Sequence, residues 1–174
     1  MQSDQFPRGI DHIGVTVPDI EAATVFLIRA LGAEVVYDTL VRGEPAQAGP
    51  DVEARLGIVA GAKIVAFRML KLRNGPGIEL FEMEAPEQRS PARPSDFGLQ
   101  HLAFYVDDID AAARRFAANG GELFEGPHPL PGPERGDGNV FRYGRTPWGM
   151  IVEFITYPAS QPYFETTPLR RWTP

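Results

Sequence analysis

The chain has 174 residues, 43% of them hydrophobic and 23% charged, with a formal net charge of −6. This composition is typical of a globular protein and excludes fibrous and disordered classes. Because there is no cysteine, disulfide scaffolds, thiolate zinc sites and cysteine nucleophiles are also excluded. The lack of a basic block argues against nucleic acid as a partner, and the longest apolar stretch, Ala22 to Ile28, is too short for a membrane span. With no secretion signal visible, we expect a cytoplasmic protein.

The first predicted elements are a strand at residues 10–17 and a helix that begins after Asp19. The strand is rich in β-branched residues, and Asp19 is a suitable N-cap for the helix. The helix has one mainly apolar stripe at helical spacing, formed by Ile20, Ala23, Thr24, Leu27 and Leu31. Gly32 is a suitable end for it. Extended segments follow at 33–40, 63–72 and 77–84, and a Gly- and Pro-containing insertion occupies residues 43–61.

The same pattern recurs at an offset of 89 residues, where 98–112 aligns with 9–23. A strand is predicted at 99–106, followed by a helix that begins after Asp108 and ends at Gly120-Gly121. Its apolar stripe is formed by Ile109, Ala112, Ala113 and Phe116. Further extended segments lie at 122–125, 139–143 and 149–156. We therefore expect two copies of one supersecondary unit.

Each copy follows the order β-α-β-β-β. We predict an α+β fold of two tandem βαβββ modules, residues 9–84 and 98–158. Residues 85–97 are the expected linker, and 159–174 are a C-terminal tail. The second copy is expected to lack the 43–61 insertion, and its proline-rich segment 126–133 is predicted to form a stiff loop.

Four residues in equivalent places of the two copies could carry chemistry. His12 and His101 lie in the first predicted strands, and Glu79 and Glu153 lie within apolar last strands. Strand alternation puts all four on the faces that point away from the helices. Two carboxylates neutralise a divalent cation and imidazole is a suitable nitrogen ligand. This set therefore predicts a site for Zn, Fe, Co, Ni or Mn.

Other polar and aromatic residues receive more ordinary interpretations. Phe81 and Tyr105 share strand faces with Glu79 and His101, so we expect them to line a pocket for a small-molecule substrate. His128, among prolines, is interpreted as a loop residue. Glu82 and Glu84 are interpreted as solvated or linker acids. The Arg170-Arg171-Trp172 tail is interpreted as a packing or dimer contact.

The sequence resembles the vicinal oxygen chelate superfamily, which includes glyoxalase I, methylmalonyl-CoA epimerase, extradiol dioxygenases and antibiotic-resistance proteins. The resemblance rests on DHIGVTVPDIEAA, QHLAFYVDDIDAAARRFAANGGELFEGP, GIELFE and TPWGMIVEF, and it covers residues 9–156. In the last motif, Thr146 and Met150 replace the usual Asp and Asn. The resemblance implies paired βαβββ modules that form a curved mixed sheet around one divalent metal, with the ligands His12, Glu79, His101 and Glu153.

The resemblance also implies a metal-dependent lyase or isomerase of the glyoxalase I or methylmalonyl-CoA epimerase type. Such an enzyme promotes proton transfer next to a substrate oxygen held by the metal, with Glu79 or Glu153 as the base. An Fe(II)-dependent ring-cleaving dioxygenase ranks lower, because those enzymes use two His and one Glu. A non-catalytic drug-binding protein ranks lowest, because such relatives typically lack the ligands. Family analogy implies a homodimer. The substrate, including whether it is a CoA or glutathione conjugate, the metal and the choice of base stay open.

Overall fold

The computed structural model describes residues 6–173. The chain forms two compact units. The first runs as far as Gln88, without Arg29–Leu31, and the second comprises Arg29–Leu31 and the chain from Arg89 onwards. Each unit contains one five-stranded mixed sheet built on the predicted βαβββ pattern. The predicted α+β fold of two modules is therefore confirmed. No helix within residues 6–173 is long and apolar enough to cross a membrane.

The first module contains five strands and two helices. They are β1 (His12–Val17), α1 (Ile20–Leu31), β2 (Glu34–Leu40), β3 (Gln47–Ala48), α2 (Pro50–Leu56), β4 (Lys63–Lys71) and β5 (Gly77–Glu84). The sheet order is β1-β5-β4-β2, with the short β3 paired to β4. The first and last strands, β1 and β5, run parallel, and the other pairs are antiparallel.

The second module repeats this topology with shorter elements. It contains β6 (Leu102–Tyr105), α3 (Ile109–Ala118), β7 (Glu122–Leu123), β8 (His128–Pro129), β9 (Val140–Arg145) and β10 (Ile151–Thr156), with 3-10 turns at Gly132–Glu134 and Pro162–Glu165. The sheet order β6-β10-β9-β7 matches the first sheet strand for strand, and β6 and β10 again run parallel.

Residues 98–158 contain no counterpart of the 43–61 insertion, as expected. The insertion supplies β3, which pairs with β4 at Lys63 and Ile64, and the helix α2, which has no buried residue. The proline-rich segment supplies β8, in which His128 pairs with Phe141 as Leu40, at the end of β2, pairs with Phe67. β8 therefore continues the place of β2 in the second sheet, and a short ladder stands where only a loop was predicted. Pro129 is tolerated because β8 is a two-residue strand at the edge of the sheet.

Both long helices begin at the predicted N-caps. The Asp19 carboxylate accepts a hydrogen bond from the Ala22 N–H at 2.8 Å, and the Asp108 carboxylate accepts one from the Ala111 N–H at 2.8 Å. Each bond satisfies one of the backbone donors that a helix leaves open at its first turn. The parallel strands and these two caps fix where each helix packs on its sheet.

The predicted inward faces of the strands and helices form the core. Ten residues from the predicted faces are at most 9% exposed: Val15, Val17, Ile20, Leu27, Ile78, Leu80, Leu102, Phe116, Val152 and Phe154. In the second module the Phe116 ring meets the Phe154 ring edge-on, with centroids 5.1 Å apart. Each module thus buries its helix stripe against one face of its sheet, which leaves the opposite face for the candidate site residues.

The matching glycines at the ends of α1 and α3 serve different purposes. Gly32 adopts a left-handed conformation with φ 72°, which ends α1. At the end of α3, the positive φ of 97° belongs to Gly120. A Cβ on Gly121 would lie 2.2 Å from Cε1 of the fully buried Phe116 ring. Gly121 is therefore required for close packing, and Gly120 is the helix stop.

The acidic residues of β5 have different environments. The Glu82 carboxylate accepts a hydrogen bond from the Ile20 N–H at 2.8 Å and pairs with Arg42, so it is a structural anchor for the start of α1. The interpretation of Glu82 as a solvated acid is therefore wrong. Glu84 is exposed, as expected, and its carboxylate lies 3.9 Å from the Lys63 ammonium. The difference arises because α1 begins directly above Glu82.

Replacing Gly121 with Ala should destabilise the protein by overpacking the second core. We expect Gly121→Ala to lower the free energy of unfolding by about 1–3 kcal/mol, because the buried Phe116 ring must shift to admit the new methyl group. Urea unfolding followed by circular dichroism measures this change. Gly9→Ala is the matched control, since nothing lies within 4 Å of a Cβ there. Equal stabilities for the two variants would contradict the packing role.

The Asp19 carboxyl should titrate below its ordinary range. Hydrogen bonds from the Ala22 N–H and then from Arg42 lower the pKa of Asp19 below its ordinary value of 3.8. The ionised Asp19 carboxylate therefore stabilises the fold at pH values above 3.8, and this stabilisation is lost as the pH falls through the lowered pKa. Carboxyl chemical-shift titration should report this midpoint, and Arg42→Gln should raise it. An ordinary midpoint for Asp19 in the native protein would contradict the cap assignment.

Candidate functional site

The first module brings His12 and Glu79 together. Parallel pairing of β1 with β5 sets Gly14 opposite Glu79, so His12 lies two residues earlier on the same face. His12 Nε2 lies 3.4 Å from a Glu79 carboxylate oxygen. The side chain of His12 is 39% exposed, whereas that of Glu79 is 18% exposed. The predicted pair is present, with its imidazole nitrogen directed at the carboxylate.

The second module repeats the pair with deeper burial. Parallel pairing of β6 with β10 sets Ala103 opposite Glu153, so His101 again lies two residues before the partner of the glutamate. His101 Nε2 lies 3.0 Å from a Glu153 carboxylate oxygen, and the two side chains are 23% and 11% exposed. Burial raises the pKa of Glu153, although the neighbouring His101 acts to lower it. A carboxylate with a raised pKa is a stronger base.

Each histidine is held through its other ring nitrogen by the preceding residue. His12 Nδ1 lies 2.7 Å from the Asp11 carboxylate, and His101 Nδ1 lies 2.8 Å from the Gln100 side-chain oxygen. The Asp11 hydrogen bond raises the pKa of His12. When Nδ1–H is donated in this way, Nε2 carries the lone pair, which is the arrangement found for histidines that bind metals.

The donor chemistry of each pair fits a divalent cation. One imidazole nitrogen and one carboxylate oxygen face the same space in each module. Residues 6–173 contain no group of three or more His, Asp or Glu side chains arranged to hold a metal. The structure thus describes two two-residue pairs, one in each module.

The two predicted pocket residues have aromatic partners on the same sheet faces. Phe81 stacks on Phe67 with centroids 4.7 Å apart and an interplanar angle of 19°. Tyr105 meets the ring of Tyr157 edge-on at 4.8 Å. The sheet face that carries each His–Glu pair is therefore lined by aromatic rings, which suit the C–H surfaces of an organic ligand.

Tyr143 is a further residue of the second face that the sequence analysis did not identify. It pairs with Glu153 across β9 and β10, and its ring meets the His101 ring edge-on at 5.1 Å. Burial, and then the charge of Glu153, raise the pKa of Tyr143, so its hydroxyl is a proton donor at neutral pH. Tyr143 can therefore donate a hydrogen bond to a ligand at this face.

The module repeat also extends to β4 and β9, at a different offset, and this match could have revealed Tyr143. The dipeptide Phe67-Arg68 in β4 corresponds to Phe141-Arg142 in β9, because Arg68 pairs with Leu80 and Arg142 pairs with Phe154, each the residue after the candidate glutamate. This match does not follow the offset of 89, because the loops before the two strands differ in length. A search that allowed the offset to change would have placed Tyr143 beside Glu153.

A cleft of the second module lies apart from these residues. It has a volume of about 550 Å³, and none of the four candidate ligands lines it. Its walls come from the 132–138 loop and the start of the C-terminal tail, namely Arg135, Gly136, Ser160, Gln161, Pro162, Phe164 and Glu165. The candidate site rests on the paired polar residues and their aromatic surroundings, and the cleft is a separate feature.

Comparison with known proteins identifies the family. Residues 11–139 match the model of the Glyoxalase/Bleomycin resistance protein/Dioxygenase superfamily. The chain is 40% identical over 170 residues to a 2-epi-5-epi-valiolone epimerase from Actinomyces sp.. This match covers 95% of this chain and 88% of the relative.

Two solved structures share the fold at low sequence identity. A glyoxalase family protein from Bacillus cereus is 18% identical with a TM-score of 0.67, and the match covers 90% of this chain and 98% of that one. The fosfomycin resistance protein FosX from Listeria monocytogenes, in a mutant form complexed with Mn(II) and 1S,2S-dihydroxypropylphosphonic acid, is 17% identical with a TM-score of 0.58. That match covers 93% of this chain and 100% of FosX. The chain belongs to the Glyoxalase/Bleomycin resistance protein/Dioxygenase superfamily.

Proposed function

We propose that this protein is an epimerase that moves a proton at a carbon next to the carbonyl of a small polyhydroxylated ketone of the valiolone type. The observation that carries the proposal is the 40% identity, over 95% of the chain, to a 2-epi-5-epi-valiolone epimerase. The paired imidazole and carboxylate of each module support it, because proton removal beside a carbonyl needs a base and a group that stabilises the developing negative charge.

We further propose that His12, Glu79, His101 and Glu153 are the ligands of one divalent metal ion. The support is chemical: each module offers an imidazole whose Nδ1 is already occupied and a carboxylate beside its Nε2. A fold relative, FosX, was crystallised with Mn(II). When bound, a divalent metal supplies a Lewis acid for the substrate oxygens. This set of nitrogen and oxygen donors suits Zn, Ni, Co, Mn or Fe.

The chain's own residues have distinct parts in the proposed reaction. Glu153 takes the proton from the carbon beside the carbonyl, which leaves an enolate, and a water molecule then gives a proton to the opposite face of that carbon while Glu153 releases its proton to solvent. The burial that raises the pKa of Glu153 strengthens it as a base at neutral pH. Glu79 is the second candidate base, and Tyr143 is placed to donate a hydrogen bond beside Glu153.

The rings of Phe81 and Tyr105 form part of the proposed substrate pocket. Their aromatic partners, Phe67 and Tyr157, hold them against the sheet faces that carry Glu79 and His101. A cyclic ketone presents C–H groups to such rings and hydroxyl groups to the polar residues. We also propose a homodimer, by analogy with the family.

Purified protein should contain about one divalent metal ion per chain. His101→Ala should lose most of this metal, because an imidazole ligand is removed, while His128→Gln should retain it, because His128 lies in the short β8. Elemental analysis after gel filtration measures the ratio. Wild-type protein that carries no metal and binds none on reconstitution would overturn the ligand assignment.

Glu153→Gln should reduce turnover by about 10²- to 10⁴-fold, since an amide cannot accept the proton. The measurement is solvent deuterium incorporation into 2-epi-5-epi-valiolone in D₂O, followed by NMR. Glu84→Gln is the matched control, because Glu84 is an exposed glutamate at the end of β5. Oxygen consumption with Fe(II), without deuterium incorporation, would instead favour the ring-cleaving dioxygenase.

Glu79→Gln in the same deuterium assay tests which carboxylate is the base. If Glu153 is the base and Glu79 only a ligand, Glu79→Gln should lose metal while the metal-saturated variant keeps measurable exchange. A metal-saturated Glu79→Gln variant with no exchange, beside an active Glu153→Gln variant, would reverse the assignment of the base.

A further inference from the structure

The C-terminal tail folds back against the second module and is fixed there at several points. The Tyr157 hydroxyl donates a hydrogen bond to the Trp172 carbonyl at 2.8 Å, which brings the end of the tail back to the residue that follows β10. Within the tail itself, the Arg171 N–H donates a hydrogen bond to the Tyr163 hydroxyl at 3.2 Å. Residues 159–173, hereafter the tail strap, therefore cross over the end of β10.

The start of the tail strap is fixed as firmly as its end. Asn139 is fully buried, and its amide donates hydrogen bonds to the Glu134 carbonyl at 3.0 Å and to the Ala159 carbonyl at 3.3 Å. Its side-chain oxygen accepts a bond from the Ala159 N–H at 2.9 Å. One buried side chain thus joins the tail strap to the loop that carries Glu134.

These anchors place the Arg171 guanidinium beside the aromatic face of the candidate site. Its Cζ lies 4.8 Å above the Tyr157 ring, and the Tyr157 ring lies 4.8 Å from that of Tyr105. The tail strap, which lies outside the βαβββ pattern, thus carries a positive charge to the rings that Tyr105 and Tyr157 contribute to this face.

The protein uses only part of the hydrogen-bonding capacity of the Arg171 guanidinium. Glu134 binds Nη1 of Arg171, and within residues 6–173 no hydrogen bond is made by Nε or Nη2. The Arg171 side chain is 34% exposed. The neighbouring Arg170 differs, because its Nη1 donates to the Thr167 and Leu169 carbonyls and its Cζ lies 4.2 Å over the Phe164 ring. Arg171 thus has N–H donors that no described residue occupies.

We propose that Arg171 is a substrate-binding residue of the second-module site, which hydrogen-bonds a hydroxyl group of the polyhydroxylated ketone while the rings of Tyr105 and Tyr157 pack against its C–H groups. The inference rests on the proposed function for the identity of the substrate. A planar guanidinium over an aromatic ring, with open N–H donors, is well suited to a hydroxylated ring. The expectation that the Arg170-Arg171-Trp172 segment makes packing contacts holds for both arginines, at Phe164 and at Tyr157, and the proposal gives Arg171 substrate binding as a further role.

The test compares Arg171→Gln, Arg171→Lys and the control Arg170→Gln. Two measurements are made on each full-length, metal-loaded protein: calorimetric binding of 2-epi-5-epi-valiolone, and deuterium incorporation for KM and kcat. We expect Arg171→Gln to raise Kd and KM about tenfold or more, as for loss of a hydrogen bond to a charged group, with a smaller change in kcat. Arg171→Lys should recover part of the affinity, and Arg170→Gln should stay within about twofold of wild type.

Two further measurements separate substrate binding from a structural role. Glu134→Gln removes the same ion pair but keeps the guanidinium, so it should raise KM much less than Arg171→Gln. The second measurement uses analogues of the ketone that each lack one hydroxyl group. The analogue without the hydroxyl that Arg171 binds should bind wild type about as weakly as the complete ketone binds Arg171→Gln. That same analogue should bind wild type and Arg171→Gln with equal affinity. Equal effects of Glu134→Gln and Arg171→Gln, with no such analogue, would overturn the proposal in favour of a structural anchor.

The outcomes also distinguish this proposal from the proposed function. If wild type binds the ketone without exchanging deuterium, the epimerase proposal fails, and an Arg171→Gln loss of binding still supports the role of Arg171. If wild type exchanges deuterium and Arg171→Gln has unchanged Kd and KM, the epimerase proposal stands and the role of Arg171 is wrong. If wild type binds no ketone, both are wrong.

Discussion

The parallel pairing of the first and last strands of each module is the constraint on which the candidate site depends. Because β1 lies beside β5 and β6 beside β10, a histidine near the start of each module meets a glutamate near its end. In both modules the glutamate is opposite the residue two positions after the histidine, so the two side chains share a face. Two parallel neighbouring strands must be joined by a crossover connection. In each module the helix and the strands that lie between them in sequence form this connection. The loops of the crossover can therefore change length without moving the pair.

In each sheet the core side chains and the candidate site side chains lie on opposite faces. One face of each sheet is covered by α1 or α3, and residues such as Leu80 and Phe154 are almost completely buried there. Charged groups on the helix-covered face are satisfied locally: the Arg68 guanidinium, 12% exposed, pairs with Asp38 at 2.6 Å and Glu21 at 2.9 Å. The acids and imidazoles on the opposite face are directed mainly at one another. Successive residues of β4 point to opposite faces of the sheet. Arg68 therefore makes its ion pairs on the helix-covered face, while the next residue, Met69, lies opposite Glu79 on the face of the candidate site.

Much of this arrangement could be predicted from local pattern alone. The bounds of β5 are those predicted, Asp19 and Asp108 are N-caps, and the inward faces of both modules are buried. These features depend on periodicity and capping, which are properties of a few neighbouring residues. The matching histidines and glutamates were found because a repeat carries long-range information that a single segment lacks. The metal-ligand assignment itself remains a prediction, supported by donor chemistry within each module.

What could not be predicted depends on contacts between distant segments. Glu82 looked like a solvated acid because nothing local indicates that Arg42, forty residues away, would reach it. The helix α2 has no buried residue, so it lacks the apolar stripe by which the other helices were recognised. Gly121 looked like a helix stop until the ring of Phe116 showed why no side chain fits there. The tail strap is the clearest case: its position depends on a few hydrogen bonds to Tyr157 and Asn139, none of which leaves a periodic signal. Segments outside the repeat are free to differ among relatives that share the βαβββ modules, because they do not set the register of the His–Glu pairs. They are therefore where one family member can acquire contacts to its own substrate while the shared chemistry stays in place.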